Sequence, residues 1–128
     1  MAEAASSDPV LVVDDDGSIR ALLRALLRKK GFRVVEAQDG AEAIARIDNG
    51  SFIMILLDLM MPNKDGFAVV RHLLEHDPDK LSCVIVMTAA SERDKLDDLD
   101  RNVVFGILRK PFDLPELSQM IDSCAEGK

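Results

Sequence analysis

The feature that most constrains this chain is a regular alternation of short apolar runs with segments of helical periodicity. Residues 10–13 and 52–57 are apolar throughout, as is typical of strands buried on both faces. Residues 18–30 carry leucine and isoleucine at helical spacing, and Gly31 follows as a helix stop. Because parallel strands need long crossover connections, this alternation predicts parallel strands joined by helices.

The same reading extends along the whole chain and predicts an α/β domain with five parallel strands and right-handed crossovers. The predicted strands are residues 10–13, 32–36, 52–57, 83–87 and 103–108. The predicted helices are residues 18–30, 40–49, 66–76, a weak one at 92–99, and a last one that begins after Asp113.

The length of 128 residues suits one domain. We predict a disordered tail at residues 1–8, the domain at residues 9–125 and a disordered end at residues 126–128. The opening residues have neither a basic start nor an apolar stretch, so we expect no secretory signal. No apolar run approaches the roughly 20 residues that span a membrane. A cytoplasmic location, with no membrane partner, is the resulting expectation.

Charge and cysteine content exclude other classes. The formal net charge of −7 disfavours direct binding of nucleic acid, which needs clustered lysine and arginine. Cys83 and Cys124 lie far apart and form no C-x-x-C motif, and Cys83 borders an apolar run, so a buried thiol is expected rather than a disulfide.

Chemistry-bearing residues follow the predicted strands. Asp14 and its two acidic neighbours follow the first strand, Asp58 the third, Thr88 the fourth and Lys110 the fifth. The carboxyl ends of parallel strands share one edge, where such sheets bind ligands. Clustered carboxylates repel unless a cation joins them, and oxygen ligands suit Mg²⁺. A carboxylate can accept a phosphoryl group, with an ammonium and a hydroxyl stabilising the transferred charge.

These motifs, at these spacings, resemble the receiver domains of two-component response regulators over residues 9–125. The resemblance implies a flavodoxin-like, doubly wound (βα)5 fold with strand order 2-1-3-4-5. The motifs that carry it are Val12-Val13-Asp14-Asp15-Asp16, Leu57-Asp58-Leu59-Met60-Met61-Pro62 with Asp65-Gly66, Met87-Thr88-Ala89 and Lys110-Pro111-Phe112.

The resemblance also implies a metal site and a phosphoacceptor. Asp58 would receive the phosphoryl group from a phosphohistidine of a histidine kinase or histidine phosphotransfer protein. Asp15, Asp58 and the backbone carbonyl of Met60 would bind Mg²⁺, or Mn²⁺, directly, and Asp14 would act through water. The chain would thus be a signalling domain that assists its own phosphorylation and dephosphorylation, not a multiple-turnover metabolic enzyme.

Two further residues and a set of partners come from the same resemblance. Lys110 would contact the phosphoryl group, across a cis bond to Pro111, and the Thr88 hydroxyl would turn toward it to start the conformational switch. A covalently linked output or kinase domain outside this chain is expected. A homodimer through the helix at 92–99 and the fifth strand is a candidate assembly.

One position departs from the family pattern. Ile107 stands where the family commonly has an aromatic switch residue, and strand alternation places Phe105 on the same face, further from the site. We therefore predict that the output does not depend on the usual aromatic rotation.

Three alternatives stay open at this stage. Asp14-Asp15-Asp16-Gly17-Ser18 also matches the strand-end motif of haloacid-dehalogenase-type phosphatases, with Asp14 as nucleophile and Asp16 as general acid, although no acidic strand end follows Lys110. His72 and His76 match a zinc-protease motif but lack a third ligand. A degenerate receiver used only for binding is the third alternative.

Overall fold

The computed structural model describes residues 8–62, 65–89, 104–111 and 113–127, and the helix predicted at 92–99 lies outside them. Five parallel strands form one sheet in the order β2-β1-β3-β4-β5, as predicted. The strands are β1 (Val10–Val13), β2 (Val34–Ala37), β3 (Met54–Asp58), β4 (Val84–Ala89) and β5 (Gly106–Lys110). The described α-helices are α1 (Gly17–Lys29), α2 (Gly40–Asp48), α3 (Asp65–His76) and α4 (Leu114–Glu126).

The central strands are buried on both faces, which explains their continuous apolar sequence. Every residue of β1 and β3 is buried, whereas the edge strands β2 and β5 are mostly half-buried. Alternate residues of each central strand face opposite layers of the domain. In β1, for example, Leu11 and Val13 belong to one core cluster, and Val10 and Val12 belong to the other.

The two core clusters lie on opposite faces of the sheet, and each is closed by helices. One cluster includes Ala43 and Ile47 of α2 and Leu73 of α3. The other includes Leu27 of α1 and Ile121 of α4. Doubly wound sheets of this kind bind ligands in the crevice beyond the carboxyl ends of their strands.

Several element boundaries differ from the predicted ones. The second to fifth strands begin one to three residues later than predicted, and β5 begins at Gly106 rather than 103. A 3-10 helix, Pro78–Cys83, precedes β4, although no element was predicted for residues 78–82 and Cys83 was predicted to begin the strand. Helix α4 continues to Glu126, one residue beyond the predicted end of the domain. The peptide bond between Lys110 and Pro111 is cis, as predicted.

Gly66 lets the start of α3 rest directly on the end of β3. A Cβ atom added at Gly66 would lie 2.3 Å from the backbone oxygen of Asp58 and 2.4 Å from the Cα of Leu59. Real Cβ atoms do not approach other atoms this closely, and backbone atoms cannot rotate away as a side chain can. Glycine at this position therefore fixes how α3 seats against the strand that ends in Asp58.

Replacing Gly66 with alanine tests this close approach. Gly66→Ala is expected to lower the free energy of unfolding by about 1–3 kcal/mol, the usual cost of overpacking. The destabilisation is the cost of the clash reduced by roughly 0.5–1 kcal/mol, because alanine is more favourable than glycine in a helix interior. Urea unfolding followed by circular dichroism measures the change. Gly127→Ala is the matched control, since its added Cβ would have no neighbour nearer than 3.6 Å. Equal stability of Gly66→Ala and the native chain would show that the contact between α3 and the end of β3 does not require glycine.

Candidate functional site

The strand order brings Asp14 and Asp58 together at the carboxyl edge of the sheet. Strand β1 pairs with β2 on one side and with β3 on the other, so the chain reverses direction across the sheet at β1. Val13 of β1 is in register with Leu57 of β3, and the next residue on each strand is one of the two aspartates. The site therefore lies at the topological switch point, where open α/β sheets bind ligands.

The ammonium of Lys110 links the two buried aspartates. Its Nζ lies 2.9 Å from Oδ2 of Asp14 and 3.3 Å from Oδ2 of Asp58. Asp14 is fully buried, and Asp58 is only 3% exposed. Such carboxylates need paired charges and hydrogen bonds, because an unpaired buried charge is costly. The structure thus gathers three of the predicted site residues into one ion-paired group.

Backbone groups hold the same carboxylates in place. The Met60 N–H donates to Oδ1 of Asp58 at 3.0 Å, and the Asp16 N–H donates to Oδ1 of Asp14 at 2.9 Å. Each aspartate therefore uses one oxygen for a local backbone turn and directs the other toward Lys110. This division fixes the rotamer of both side chains.

The surroundings of Asp58 disfavour the ionised form of its carboxyl group. Burial raises the pKa of Asp58, and the neighbouring charge of Asp14 raises it further, although the Met60 N–H and Lys110 oppose the shift. For Lys110, burial alone would lower the pKa, but the hydrogen bond to Asp14 and the charges of Asp58 and Asp14 outweigh it and raise the pKa. The lysine is therefore charged at neutral pH and cannot fully compensate two carboxylates.

Asp15 adds a third carboxylate to this group. Single oxygens of Asp14, Asp15 and Asp58 all lie within 4.8 Å of one another, and Asp15 is the exposed member. Three oxygen donors at this spacing, one of them open to solvent, fit a hard divalent cation such as Mg²⁺ or Mn²⁺. Across the residues that the structure describes, no other group of three acidic, histidine or cysteine ligands meets this spacing.

Thr88 lies on β4, beside the end of β3. Met87 is in register with Asp58, so Thr88 comes one residue further toward the edge of the sheet. Its side chain is fully buried, and its hydroxyl is oriented toward the backbone oxygen of Ala89, at 3.4 Å. Within the part of the chain that the structure describes, the hydroxyl has only this long hydrogen bond, so it is well placed to change partner.

The two residues predicted at the switch contact different parts of the fold. Ile107 packs, partly buried, against the cluster that includes α2 and α3. Phe105 lies in the bend before β5, is 40% exposed, and borders a cavity of about 260 Å³ together with Met120 and other residues of α4. Because Phe105 precedes the strand, strand alternation does not relate its direction to that of Ile107, and the shared face stays a prediction.

The phosphatase-like motif has a structural explanation. The carboxylate of Asp16 accepts hydrogen bonds from the N–H and the hydroxyl of Ser18, at 2.9 and 2.7 Å, and so caps α1. These hydrogen bonds, led by that of the Ser18 hydroxyl, lower the pKa of Asp16, which is the wrong direction for a general acid.

The two histidines of the zinc-protease motif, His72 and His76, make side-chain contacts at the surface. Nε2 of His72 lies 2.8 Å from a carboxylate oxygen of Asp48 at the end of α2, and the His72 and His76 rings are 4.5 Å apart. These contacts join α2 to α3 without forming a three-ligand metal group among the described residues.

Two features of the site were not anticipated. Arg20 of α1 donates from Nη1 to the backbone oxygen of Asp14 at 2.7 Å. A groove of about 540 Å³ beside Lys110 is lined by Ile19, Leu22, Pro111 and Leu114. The helical spacing of Ile19 and Leu22 was visible in the sequence, but it did not indicate a groove, and nothing in the sequence indicated the Arg20 contact.

Fold and site together define a receiver-type α/β domain with an acidic pocket typical of phosphoacceptor sites. The family model of the response regulator receiver domain matches residues 10–122. The chain therefore belongs to the response regulator receiver domain family, the signalling domains of two-component systems. Among the described residues, no helix is both long and apolar enough to cross a membrane.

Individual relatives agree with this assignment. The gliding motility regulatory protein of Myxococcus xanthus is 35% identical over 122 residues, covering 94% of this chain and 16% of that protein. The transcriptional regulatory protein ResD of Bacillus subtilis is 43% identical over 83 residues, covering 65% of this chain and 33% of that protein. This chain thus spans about a third or less of the length of these curated relatives.

Solved structures are similar over nearly the whole chain. A Francisella response regulator receiver domain is 26% identical with a TM-score of 0.81, covering 94% of this chain and 98% of that one. The response regulator TrrA of Thermotoga maritima, solved in complex with Mg(2+)-BeF, is 27% identical with a TM-score of 0.78, covering 91% of this chain and 98% of that one.

The raised pKa of Asp58 predicts a pH-dependent gain in stability for Asp58→Asn. A carboxyl whose pKa is higher in the folded state destabilises the fold when ionised, and this cost disappears as the pH falls through the raised pKa toward the ordinary value of 3.8. Asp58→Asn, without divalent cations, should therefore be more stable than the native chain at pH 7, and the difference should shrink toward pH 4. Urea unfolding across this range measures it.

The exposed Asp16 provides a control of opposite sign. Its pKa is lowered, so the stability that its charge contributes is present above the ordinary value of 3.8 and is lost as the pH falls through the lowered pKa. Asp16→Asn should therefore be less stable than the native chain at pH 7. A loss of stability in Asp58→Asn at pH 7 would refute the electrostatic account of Asp58.

Proposed function

We propose that this receiver domain is a phosphorylation switch in which Asp58 accepts a phosphoryl group from a phosphohistidine of a histidine kinase or histidine phosphotransfer protein. The observation that carries the proposal is the position of Asp58, which ends a buried strand beside a second buried aspartate, with Lys110 paired to both carboxylates. Asp58 is the only carboxylate of this group that ends a β-strand, and both flanking strands supply further site residues.

A divalent cation is part of the proposal because the donors fit one. Asp15, Asp58 and the backbone carbonyl of Met60 would hold Mg²⁺ or Mn²⁺ directly, and Asp14 would act through water. When bound, such a cation neutralises the clustered carboxylates and the charge of the incoming phosphoryl oxygens. The close carboxylate oxygens of Asp14, Asp15 and Asp58 support this assignment.

The residues of the chain divide the chemistry of transfer. A carboxylate oxygen of Asp58 attacks phosphorus, the new O–P bond forms as the N–P bond breaks, and the leaving imidazole carries the bonding electron pair and takes up a proton. Lys110, already held by Asp14, is placed to pair with a phosphoryl oxygen once Asp58 has reacted. The Thr88 hydroxyl can exchange its long hydrogen bond to Ala89 for the phosphoryl group, which would begin the switch.

The groove beside Lys110 supports a protein donor. Leu22 of α1 is 41% exposed and Leu114 of α4 is 45% exposed, and both line the groove with Lys110. Large exposed apolar side chains next to a reactive group are typical of a protein-binding surface. A donor whose phosphohistidine reaches Asp58 must rest on the surface next to Lys110, so we assign this groove to the phosphohistidine-bearing protein.

The proposed acceptor is tested with a small phosphodonor. Incubation with acetyl phosphate and Mg²⁺ should add one phosphoryl group per chain, read by intact mass, and EDTA should abolish the addition. Asp58→Asn should remain unlabelled, whereas Asp16→Asn, a matched change at an exposed capping residue, should be labelled like the native chain. Labelling of Asp58→Asn, or turnover of many equivalents of donor without Asp58, would overturn the proposal.

The proposed donor surface is tested with a charge in the groove. Leu22→Glu and Leu114→Glu should each slow transfer from phosphorylated histidine phosphotransfer proteins by about tenfold, since loss of one buried leucine contact is worth at least about 1.5 kcal/mol. Labelling by acetyl phosphate should change much less. Leu74→Glu on α3, equally exposed at 47% but outside the groove, is the control. Equal slowing by Leu74→Glu would place the donor elsewhere.

A further inference from the structure

Arg20 connects the acidic site to the edge of the sheet. Its Nη1 donates to the backbone oxygen of Asp14 at 2.7 Å, and its Nε donates to Oε1 of Glu36 on β2 at 3.2 Å. The other oxygen of Glu36 accepts from Nη1 of Arg24 at 2.6 Å. Arg20 is thus fixed at two points, and the carboxylate that fixes it is itself held by a second arginine.

The carbonyl that Arg20 holds belongs to the peptide between Asp14 and Asp15. The remaining groups of Asp14 are also held: its N–H donates to the oxygen of Ala37, one carboxylate oxygen accepts from the Asp16 N–H, and the other accepts from Lys110. The direction of the Asp15 side chain depends on this peptide plane. Asp15 itself is exposed, so its direction depends largely on the peptide that precedes it.

We propose that Arg20 is a positioning residue for the divalent cation site, acting through the Asp14–Asp15 peptide, with Glu36 as its anchor. The proposal rests on the proposed function, because it assumes that Asp15 is a cation ligand. The guanidinium suits this role, since its planar fork donates in two fixed directions at once and remains charged. Groups that orient metal ligands without touching the metal typically change affinity 10- to 100-fold when lost.

The direction in which the Mg²⁺ affinity changes distinguishes a positioning role of Arg20 from the effect of its charge alone. Arg20 is a cation close to a cation site, so by Coulomb's law alone its removal should tighten Mg²⁺ binding. A positioning role predicts weaker Mg²⁺ binding instead. Arg20→Gln and Arg20→Lys should both weaken Mg²⁺ affinity about tenfold, because neither side chain can donate to Asp14 and Glu36 with the same fork. Arg28→Gln, which removes an exposed charge from the same helix, should leave the affinity nearly unchanged.

The experiment is a Mg²⁺ titration of the full chain, followed by amide chemical shifts and by calorimetry. Metal-free thermal unfolding of each variant is recorded in parallel, so that a general loss of stability is distinguished from a loss of affinity. Adding Glu36→Gln to Arg20→Gln should weaken Mg²⁺ binding less than the same change does in the native chain, because the two residues act through one contact.

The outcomes distinguish this inference from the function on which it rests. Weakened Mg²⁺ binding by both folded Arg20 variants, with Arg28→Gln unchanged, supports the positioning role. Unchanged or tighter binding by Arg20→Lys or Arg20→Gln, while the native chain binds Mg²⁺, overturns the positioning role alone. A native chain that shows no Mg²⁺ binding overturns the proposed metal site and the positioning role together.

Discussion

The shared ion pair of Lys110 with Asp14 and Asp58 is the interaction on which the rest of the site depends. It joins the ends of three strands, β1, β3 and β5, and it does so where burial removes the screening that water would supply. One ammonium balances two buried carboxylates incompletely, and Asp15 adds further negative charge at the surface. The fold therefore holds a deficit of positive charge at the edge of its sheet. This deficit makes the site receptive to a cation, and it fits the proposed role of Asp58 as an acceptor.

The fold supports this imbalance by making the surrounding structure rigid. Both faces of β3 are covered by core clusters, Gly66 seats α3 directly on the backbone of Asp58 and Leu59, and backbone N–H groups fix both buried carboxylates. Repelling groups persist in a structure only when their surroundings over-determine their positions. Stability is thus supplied by the apolar layers, and the reactive edge can be electrostatically strained without loss of the fold.

The sequence predicted the architecture well because its strongest signals are about burial. Continuous apolar runs at β1, β3 and β4 identified strands that are covered on both sides. Because parallel strands share one carboxyl edge, the strand ends then predicted that Asp14, Asp58 and Lys110 lie together. The edge strands were less accurately bounded, since half-buried strands such as β5 have weaker periodicity. Phe105 lies just before β5, so alternation within the strand could not give its direction.

Interactions that depend on the length and direction of polar side chains could not be predicted from the sequence. Arg20 on α1 is one of several arginines with similar local surroundings, and only the packing of α1 beside β2 shows that it, rather than Arg28, reaches Asp14 and Glu36. The groove beside Lys110 escaped prediction because Leu22 fits the apolar stripe of α1 yet lies at its margin. Such features become visible only when the positions of neighbouring elements are known.

The order of strands in the sheet determines when during folding the site is assembled. Asp14, Asp58 and Lys110 stand at the ends of the first, third and fifth strands, and these three residues become neighbours only when the crossovers have closed. Under the proposed function, a nascent or partly folded chain would lack an assembled acceptor. Signalling by this domain would then require the complete fold.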